Sequence, residues 1–386
     1  MWKTIAGAIV LLALPQLAAA QEHDHAKMLR DLQAAAGWQL MQDGDVFLMF
    51  NHQSGDRGGN EFVAPNWWML MAARKTSHGT ISFNGMLSLD PATVGGDGYR
   101  ELFQTGEVYR GEPFIDRQHP HDLFMALSAS WRVPLPASTS LTFSGGPVAA
   151  PALGPIAFMH RASAFDNPMA PLTHHLFDST HIAFGVASAA VEHGRWTLEA
   201  SVFNGREPDE HRWDFDFGRM DSVSGRLWFK PNAQWAFQFS TGHLVHPEQF
   251  EPGDAQRTTV SASWTRVSGQ TIDAITAGFG SNDGPEPDFV RNGAFVEGAH
   301  HIGANTVYGR IEVLKIDPHI AGVNGAAFAI GGVRDILTRR GFESGIGAGV
   351  TLYAMPALLD PFYGAHPVGF QVFFRLRRAE HMVNMQ

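Results

Sequence analysis

The segment RWTLEASVFN, residues 195–204, alternates apolar and polar side chains along its length. In an extended chain one side carries Trp196, Leu198, Ala200 and Val202, and the other carries Thr197, Glu199 and Ser201. A period of two residues is typical of a β-strand whose two faces meet different surroundings. This segment therefore predicts a strand with one apolar and one polar face.

The same alternation recurs in blocks of about ten residues from Asp45 almost to the end of the chain. The polar sides of these blocks are rich in Gly, Ser, Thr and Gln with scattered Arg, whereas the polar face of a soluble β-sandwich is rich in Lys and Glu. Counting the blocks predicts sixteen strands, near residues 45–53, 62–75, 79–90, 122–133, 139–147, 180–191, 195–205, 221–230, 234–245, 256–267, 270–281, 289–301, 305–316, 325–337, 341–353 and 367–377.

The connections between these blocks differ at the two ends. Those after even-numbered strands are tight, such as 77–79 and 192–194, whereas residues 91–121 and 148–179 form two very long loops after odd-numbered strands. Short periplasmic turns and long external loops are expected of an outer-membrane barrel, as is an even strand number. A large soluble all-β protein is the alternative, but it has no reason to keep its long loops at one end. We therefore predict an all-β fold, a transmembrane antiparallel β-barrel of about sixteen strands.

The composition of the 386-residue chain excludes several classes of protein. Charged residues make up 17%, against about 25% in ordinary soluble domains. Beyond residue 20 no apolar run approaches the ~18 to 20 residues of a membrane-spanning helix, which excludes a polytopic helical membrane protein. The net charge of -10, without a Lys/Arg-rich block, makes nucleic acid an unexpected partner. Because the chain has no Cys, any metal would be bound by His, Asp, Glu or Met.

The first twenty residues have the features of a cleaved secretory signal. Lys3 precedes an apolar stretch over 5–14, Pro15 follows it, and Ala18–Ala20 supply small residues before Gln21. A membrane anchor is the alternative, but the apolar stretch is short. We predict a signal peptide over 1–20, a periplasmic segment with a short helix over 21–44, the barrel over 45–377 and a periplasmic tail over 378–386.

The last predicted strand contains PVGFQVFF, residues 367–374, which is similar to the C-terminal signal read by the barrel-assembly machinery. On this segment and the strand pattern, the chain resembles Gram-negative outer-membrane β-barrels of the porin type. It departs from them by continuing through Arg375 to Gln386, since porins usually stop at the terminal aromatic residue. The loop segments DRQHPHD (116–122), PLTHH (171–175) and DSTH (178–181) also resemble a group of outer-membrane proteins of unassigned function.

This resemblance implies several expectations. Sixteen-stranded porins fold their third external loop into the lumen, which here is 148–179, and we expect both long loops to fold inward and narrow the lumen. Outer-membrane localisation, contact with lipid and lipopolysaccharide, assembly by the barrel-assembly machinery and a homotrimeric state follow in the same way.

Histidines concentrate in the two long loops. His119 and His121 lie two apart in a segment that Pro120 keeps extended, with Asp122 beside them. In the second loop His174, Asp178 and His181 are spaced i, i+4 and i+7, one face of a helix if the segment is helical, with His175 adjacent. Imidazole and carboxylate together suit Cu, Zn or Ni. These seven residues are the candidate metal ligands: His119, His121, Asp122, His174, His175, Asp178 and His181.

Metal binding is not the only explanation for these histidines, and other residues could also contribute ligands. The histidines can instead hydrogen-bond backbone carbonyls and acids such as Asp116, pinning the loops inside the lumen. Met159 and Met169 would favour Cu(I), although single Met residues usually serve packing. At the mature N-terminus, His23 and His25 with the new amine could hold Cu or Ni loosely.

Charged residues on the polar strand faces are the candidate pore lining: Glu199, Arg226, Arg310, Glu312, Glu343 and Arg375. They would set a transverse field in the lumen or form salt bridges there. Evidence for an enzyme is weaker. Asn51, His52 and Ser54 approach the Asn-His-Ser arrangement of outer-membrane phospholipases, but the Ser is displaced by one residue. We therefore expect no enzyme.

Taken together, these patterns predict a porin-like channel for passive diffusion of small hydrophilic solutes or ions, constricted by His-rich loops. The alternatives are a barrel that binds or takes up transition metals (Cu, Zn or Ni) and an outer-membrane lipid hydrolase.

Overall fold

The computed structural model describes residues 37–250, 253–284, 290–316 and 320–379. The predicted signal peptide, the predicted helix within 21–44, the N-terminal histidines and residues 380–386 lie outside the described residues.

Strands dominate this part of the chain. In order they are β1 (Trp38–Gln53), β2 (Gly59–Val63), β3 (Asn66–Thr76), β4 (Gly79–Leu87), β5 (Tyr99–Tyr109), β6 (Glu112–Gln118), β7 (Phe124–Leu135), β8 (Thr139–Ala149), β9 (Ala183–His193), β10 (Trp196–Phe203), β11 (Ser222–Phe229), β12 (Trp235–Leu244), β13 (Ala255–Ser268), β14 (Thr271–Asp283), β15 (Arg291–Ile302), β16 (Asn305–Lys315), β17 (Asn324–Arg339), β18 (Phe342–Ala354) and β19 (Val368–Arg378).

The helices that the structure describes are single turns. They are α1 (Asp90–Thr93), α2 (His174–Phe177) and α3 (Asp360–Tyr363), with 3₁₀ turns at Phe158–His160, Ser179–His181 and Ala357–Leu359. Within the described residues no helix has the length and apolar character needed to span a membrane.

The wall strands form one closed antiparallel sheet. Each strand pairs with the next wall strand along the chain, and β1 pairs with β19 from Asp45–Arg377 to Gln53–Gly369. Both β2 and β3 pair with β1, at its two halves, and so share one wall position. The result is a barrel of sixteen wall strands, as predicted.

The sequence pattern and the structure differ at three places. Ala64 and Pro65 divide the strand predicted over 62–75 into β2 and β3, because Pro has no N–H for the ladder. Strand β1 begins at Trp38 instead of 45. Residues 38–44 extend the strand by pairing with β3, whereas the pairing of β1 with β19 starts only at Asp45. The predicted loop 91–121 contains a hairpin of its own, β5–β6, separate from the wall.

The two faces of the wall have the predicted characters. On β10, Leu198 and Val202 are exposed on the outside, whereas Ser201 is buried inside. Other outward apolar side chains are similarly exposed: Phe239, Ile275, Phe279, Val296, Ile311, Phe328, Ile330, Ile346 and Leu352. A belt of this size would be unfavourable in water and suits contact with lipid.

Both long connections fold inward, as predicted. We call residues 88–123 loop A and residues 150–182 loop B. Almost every residue of loop B is buried, and so is half of the β5–β6 hairpin of loop A. The Gln104 amide of loop A donates a 3.0 Å hydrogen bond to the Pro171 carbonyl of loop B. The two loops therefore pack on each other within the barrel.

Candidate functional site

Loop B crosses the lumen from one wall to the other. Near its start, the Ala152 N–H donates to Ser201 Oγ on β10 over 2.7 Å, and the Gly154 N–H donates to Ser240 Oγ on β12 over 2.8 Å. Further along, Asp166 accepts from Arg377 Nη1 on β19 over 3.3 Å and pairs with Arg375. Because β10 and β19 lie nearly opposite each other in the ring, the loop spans the barrel.

A buried ion-pair group fixes the middle of loop B. Arg161 Nε lies 2.6 Å from Glu297 Oε1, and Arg161 Nη1 lies 2.8 Å from Asp178 Oδ2. Arg310 Nε lies 3.0 Å from the other Glu297 oxygen. Glu312 accepts hydrogen bonds from the Thr173 N–H at 2.9 Å and hydroxyl at 2.8 Å. The charges of Arg161, Glu297, Asp178 and Arg310 thus compensate one another, as removal from water requires, and Glu312 is held by hydrogen bonds from Thr173.

The remaining predicted pore-lining residues also face the interior. Glu199 Oε2 lies 2.6 Å from Arg226 Nε, directly across the β10–β11 ladder, and accepts a 2.9 Å hydrogen bond from Trp228 Nε1. Glu343 lies 3.1 Å from Arg375 and 2.6 Å from Arg377. These side chains are paired across the strands or with loop B.

The five loop histidines lie together where loops A and B meet; we call them the histidine centre. Loop A contributes His119 and His121, and loop B contributes His174, His175 and His181. The ring centroid of His174 lies 6.0 Å from that of His119, 5.3 Å from that of His175 and 5.4 Å from that of His181. The centroids of His121 and His181 are 5.8 Å apart. The structure thus brings together histidines of two loops that the sequence treats as separate clusters.

Every ring of the histidine centre points Nδ1 at an oxygen atom. The partners are Glu107 at 3.1 Å for His119, Asp90 at 2.9 Å for His121, Asp178 Oδ1 at 2.7 Å for His174, Glu207 at 3.1 Å for His175, and the Asp178 carbonyl at 2.7 Å for His181. An Nδ1–H that donates to such an acceptor leaves the Nε2 lone pair free. The arrangement therefore selects one tautomer and one orientation for each ring.

The Nε2 atoms of His119, His121, His174 and His181 are shielded from solvent and have no hydrogen-bond partner among the described residues. Leaving a buried acceptor unpaired costs about 1–3 kcal/mol. Four such atoms at one place are unusual in a folded protein.

Burial favours the neutral form of His119, His174 and His181. It is the main reason why the pKa of His119, of His174 and of His181 lies below the ordinary value, and neighbouring histidines lower each pKa further. Burial alone would raise the pKa of Asp178, but His174 and Arg161 together bring it below its ordinary value. Asp178 is therefore an anion that holds a neutral ring.

The two predicted carboxylate ligands have other partners. Asp122 lies 3.3 Å from Arg212 Nη1. Asp178 is occupied by His174, Arg161 and the Phe158 N–H. Met159 and Met169 pack in two different apolar clusters of the interior.

Sequence reasoning missed the acids that orient the rings: Asp90, Glu107 and Glu207. Their separations from His121, His119 and His175 range from one dozen to about thirty residues, so no local spacing marks these pairs. Sequence alone offered only the abundance of acids in the long loops.

The phospholipase-like triplet does not converge. Asn51 is buried and bonds Arg100 O, whereas His52 points outward, with its ring 4.8 Å from that of Phe370. Ser54 Oγ accepts a 2.8 Å hydrogen bond from the Val368 N–H. Neighbouring residues of a strand face opposite sides, which separates Asn51 from His52.

Comparisons with solved structures identify the fold. An anion-selective porin from Comamonas acidovorans matches with a TM-score of 0.52 at 12% identity, covering 88% of this chain and 100% of the porin. Salmonella typhi OmpF, solved with daunomycin, matches with a TM-score of 0.51 at 8% identity, covering 87% and 97%. A loop L8 deletion mutant of OmpT, an outer membrane protein of Vibrio cholerae, matches with a TM-score of 0.50 at 8% identity, covering 88% and 99%.

The fold is that of outer-membrane porin barrels, which confirms the predicted resemblance at the level of architecture. At these identities the likeness concerns the fold alone. A scan against protein-family models and a search of curated proteins each found no match.

Proposed function

We propose that this protein is an outer-membrane porin-type channel that passes small hydrophilic solutes or ions by diffusion, with loop B as its constriction. The observation that carries the proposal is a closed barrel with an apolar outside and a charged interior, crossed by a loop bonded to opposite walls. Porin neighbours support the channel at the level of fold.

The outer belt supports a place in a lipid bilayer. Side chains such as Leu198, Ile311 and Ile330 are more than half exposed on the outside of the wall, where water would be a poor solvent for them. A closed barrel satisfies all its strand hydrogen bonds internally, which hydrocarbon requires. In a Gram-negative cell the outer membrane is the bilayer that holds such barrels.

Any route for solutes through the barrel would be narrow, because loop B crosses the lumen. Loop B divides the lumen between its contact with Ser201 on one side and with Arg377 on the other, so solutes would pass beside the loop. The interior that such a path would cross carries compensated charges such as Glu297 and Arg310, which are buried beside loop B. Selectivity would then depend on the few groups at the narrowest point.

A non-enzymatic role fits the same interior. Asn51, His52 and Ser54 do not form a catalytic arrangement, because Asn51 and His52 face opposite sides of β1. The lipid-hydrolase alternative therefore has no group of residues to carry it among those proposed from the sequence.

Flux into liposomes tests the proposal. The refolded chain is reconstituted, and uptake of ions and of sugars of increasing size is measured for the wild type, for Asp166→Asn and for Glu192→Gln. Asp166→Asn removes the anion that ties loop B to Arg375 and Arg377, whereas Glu192 belongs to a partly exposed pair with Arg132 at 3.0 Å on the wall.

We expect uptake of ions and the smallest sugars by the wild type and by Glu192→Gln, and a larger size limit for Asp166→Asn. Absence of any flux in all three proteins, with intact strand content by circular dichroism, would contradict the channel proposal.

A further inference from the structure

We propose that the histidine centre is a binding site for one divalent transition-metal ion, held by Nε2 of His119, His121, His174 and His181. This site is a property of loops A and B, and it does not depend on the barrel conducting solutes.

The positions of the rings are close to those of a metal site. With metal–nitrogen distances of about 2.0–2.1 Å, the ring centroids of a tetrahedral imidazole site stand about 5 Å apart. Here the centroids of His174 and His181 are 5.4 Å apart, and those of His121 and His181 are 5.8 Å apart. His119 lies 6.0 Å from His174 and 6.3 Å from His121. No three of these residues yet have their ligand atoms within 4.8 Å of one another, so binding one ion requires the loop side chains to move inward.

The groups that accept hydrogen bonds from the Nδ1 atoms are of the kind found around metal sites. Ligating histidines in proteins almost always donate their other N–H to a carboxylate or a carbonyl, which orients the ring and makes the ligating nitrogen more basic. Asp90, Glu107 and Asp178 supply this partner at distances from 2.7 to 3.1 Å. Loop-pinning needs only one bond per ring and does not explain why the Nε2 atoms of four neighbouring rings are shielded from solvent and unpaired among the described residues.

The donor set selects the ion. Neutral imidazoles without thiolate suit Zn²⁺, Cu²⁺ and Ni²⁺, whereas Mg²⁺ and Ca²⁺ prefer oxygen ligands. Met159 and Met169 belong to separate apolar clusters, so the soft sulfur ligands that favour Cu(I) are not part of the centre.

A cleft at the long-loop end leads toward the centre. It lies between the β5–β6 hairpin and residues 248–250, and its lining includes Glu107, Glu248 and Arg291. Gly106 lies between this cleft and the His175 ring. It packs against the ring so closely that a Cβ on residue 106 would lie 2.1 Å from His175 Cε1. One ligand atom each of His175, Glu207 and Glu248 already lies within 4.8 Å of the others, which gives an arriving cation a first set of ligands.

Metal binding would join the two loops. His119 and His121 come from loop A, and His174 and His181 come from loop B, so one ion would link both inside the lumen. Removing the ion would loosen this junction and leave the wall intact.

Calorimetry on the refolded, untagged chain tests the site with Zn²⁺, Cu²⁺ and Ni²⁺ in turn. The variants are His174→Gln, His121→Gln and the four-residue change of His119, His121, His174 and His181 to Gln. His300→Gln is the matched control, because this histidine is exposed beside Asp273 on the wall. All proteins also carry His23→Gln and His25→Gln to remove N-terminal chelation.

We expect one ion per chain for at least one of these metals, affinity at least 100-fold weaker in His174→Gln and at least 10-fold weaker in His121→Gln, and no change in His300→Gln. Co²⁺ bound to the unsubstituted centre should show the visible absorption of a tetrahedral imidazole site. His121→Gln keeps the test valid if the four-residue variant does not refold, because it changes a single side chain that is not fully buried.

Binding that is equal in the control and in every centre variant, or no binding to the unsubstituted centre, would overturn the proposal and leave the histidines as structural pins. Liposome flux measured on the same preparations separates the metal-site proposal from the channel proposal. Metal binding without flux would reject only the channel, and flux without metal binding would reject only the metal site.

Discussion

Individual charges in the lumen act as members of compensated groups. Glu297 lies between Arg161 and Arg310, and each of its oxygens serves one guanidinium. Such a group is weak evidence for net stability, because desolvation offsets much of the attraction. It is strongly sensitive to the loss of one member, since an uncompensated charge then stays buried.

Replacing Glu297 with Gln should therefore destabilise the protein. We expect the free energy of unfolding, measured by urea titration in lipid vesicles, to fall by about 3–5 kcal/mol. Glu192→Gln, at a partly exposed ion pair, should cost at most about 1 kcal/mol. Equal effects of the two substitutions would contradict the buried-group interpretation.

The histidine centre predicts a pH dependence of stability. Burial lowers the pKa of His119, His174 and His181, so below about pH 6.5 the unfolded chain takes up protons that the folded chain does not. Stability should therefore fall as the pH decreases from 7.5 to 5, by about 1.4 kcal/mol per pH unit for each histidine that only the unfolded chain protonates.

The measurement compares unfolding of the wild type with that of a variant carrying Gln at His119, His174 and His181, in EDTA, at both pH values. Asp122, whose pKa burial raises to about 6, acts in the opposite direction but is present in both proteins. A pH effect of equal size in the two proteins would show that the histidines are not its source.

For individual residues, the sequence indicates that histidines and acids concentrate in the two long loops. It does not indicate which histidine pairs with which acid. The spacing of His119 and His121 about Pro120, and of His174 and His181, points to these residues as candidate ligands. It could not separate ligands from orienting acids, because Asp122 pairs with Arg212 from a distant loop and Asp90 reaches His121 through the fold of loop A.

Among the elements, the wall strands were predictable and the interior of the loops was not. A wall strand meets lipid on one face and the lumen on the other. Apolar and polar residues therefore alternate along its sequence, and this alternation identifies it as a strand. Loop B has no such period, since nearly every residue of it is buried against a different partner. The division of one wall strand at Pro65 also needed the structure, because Pro is tolerated at strand edges and starts.

A designed disulfide can test the position of loop B. Ser163 Oγ lies 2.8 Å from Thr276 Oγ1 on β14, and the chain has no native Cys to interfere. We expect Ser163→Cys with Thr276→Cys to form a disulfide under mild oxidation, since the two side-chain atoms that sulfur would replace already lie in contact. Mass spectrometry of the digested protein detects the link.

The matched control pairs Ser163→Cys with Thr306→Cys. Thr306 is also buried inside the barrel, but it lies two strands away on β16 and, through the strand pairing, is level with Ile272, nearer the short-turn end than Thr276. Equal yields for the two pairs, or no link to position 276, would contradict a loop that is held across the lumen.

For the whole molecule, the averages of the chain hide its organisation. A hydrophobic content of 44% and a mean hydropathy of -0.11 combine an outer face for lipid with an inner face of paired charges and hydroxyls. The closed wall was predictable from alternation and loop asymmetry. The homotrimeric state remains a prediction from the resemblance, which cross-linking of the reconstituted protein would test.

Single-channel recording in planar bilayers shows whether this barrel is a channel that loop B narrows. The refolded wild type should give small stepwise currents, and a variant in which a short Gly/Ser linker replaces residues 155–176 should give steps several times larger. A folded shortened variant that gives no steps would contradict the account.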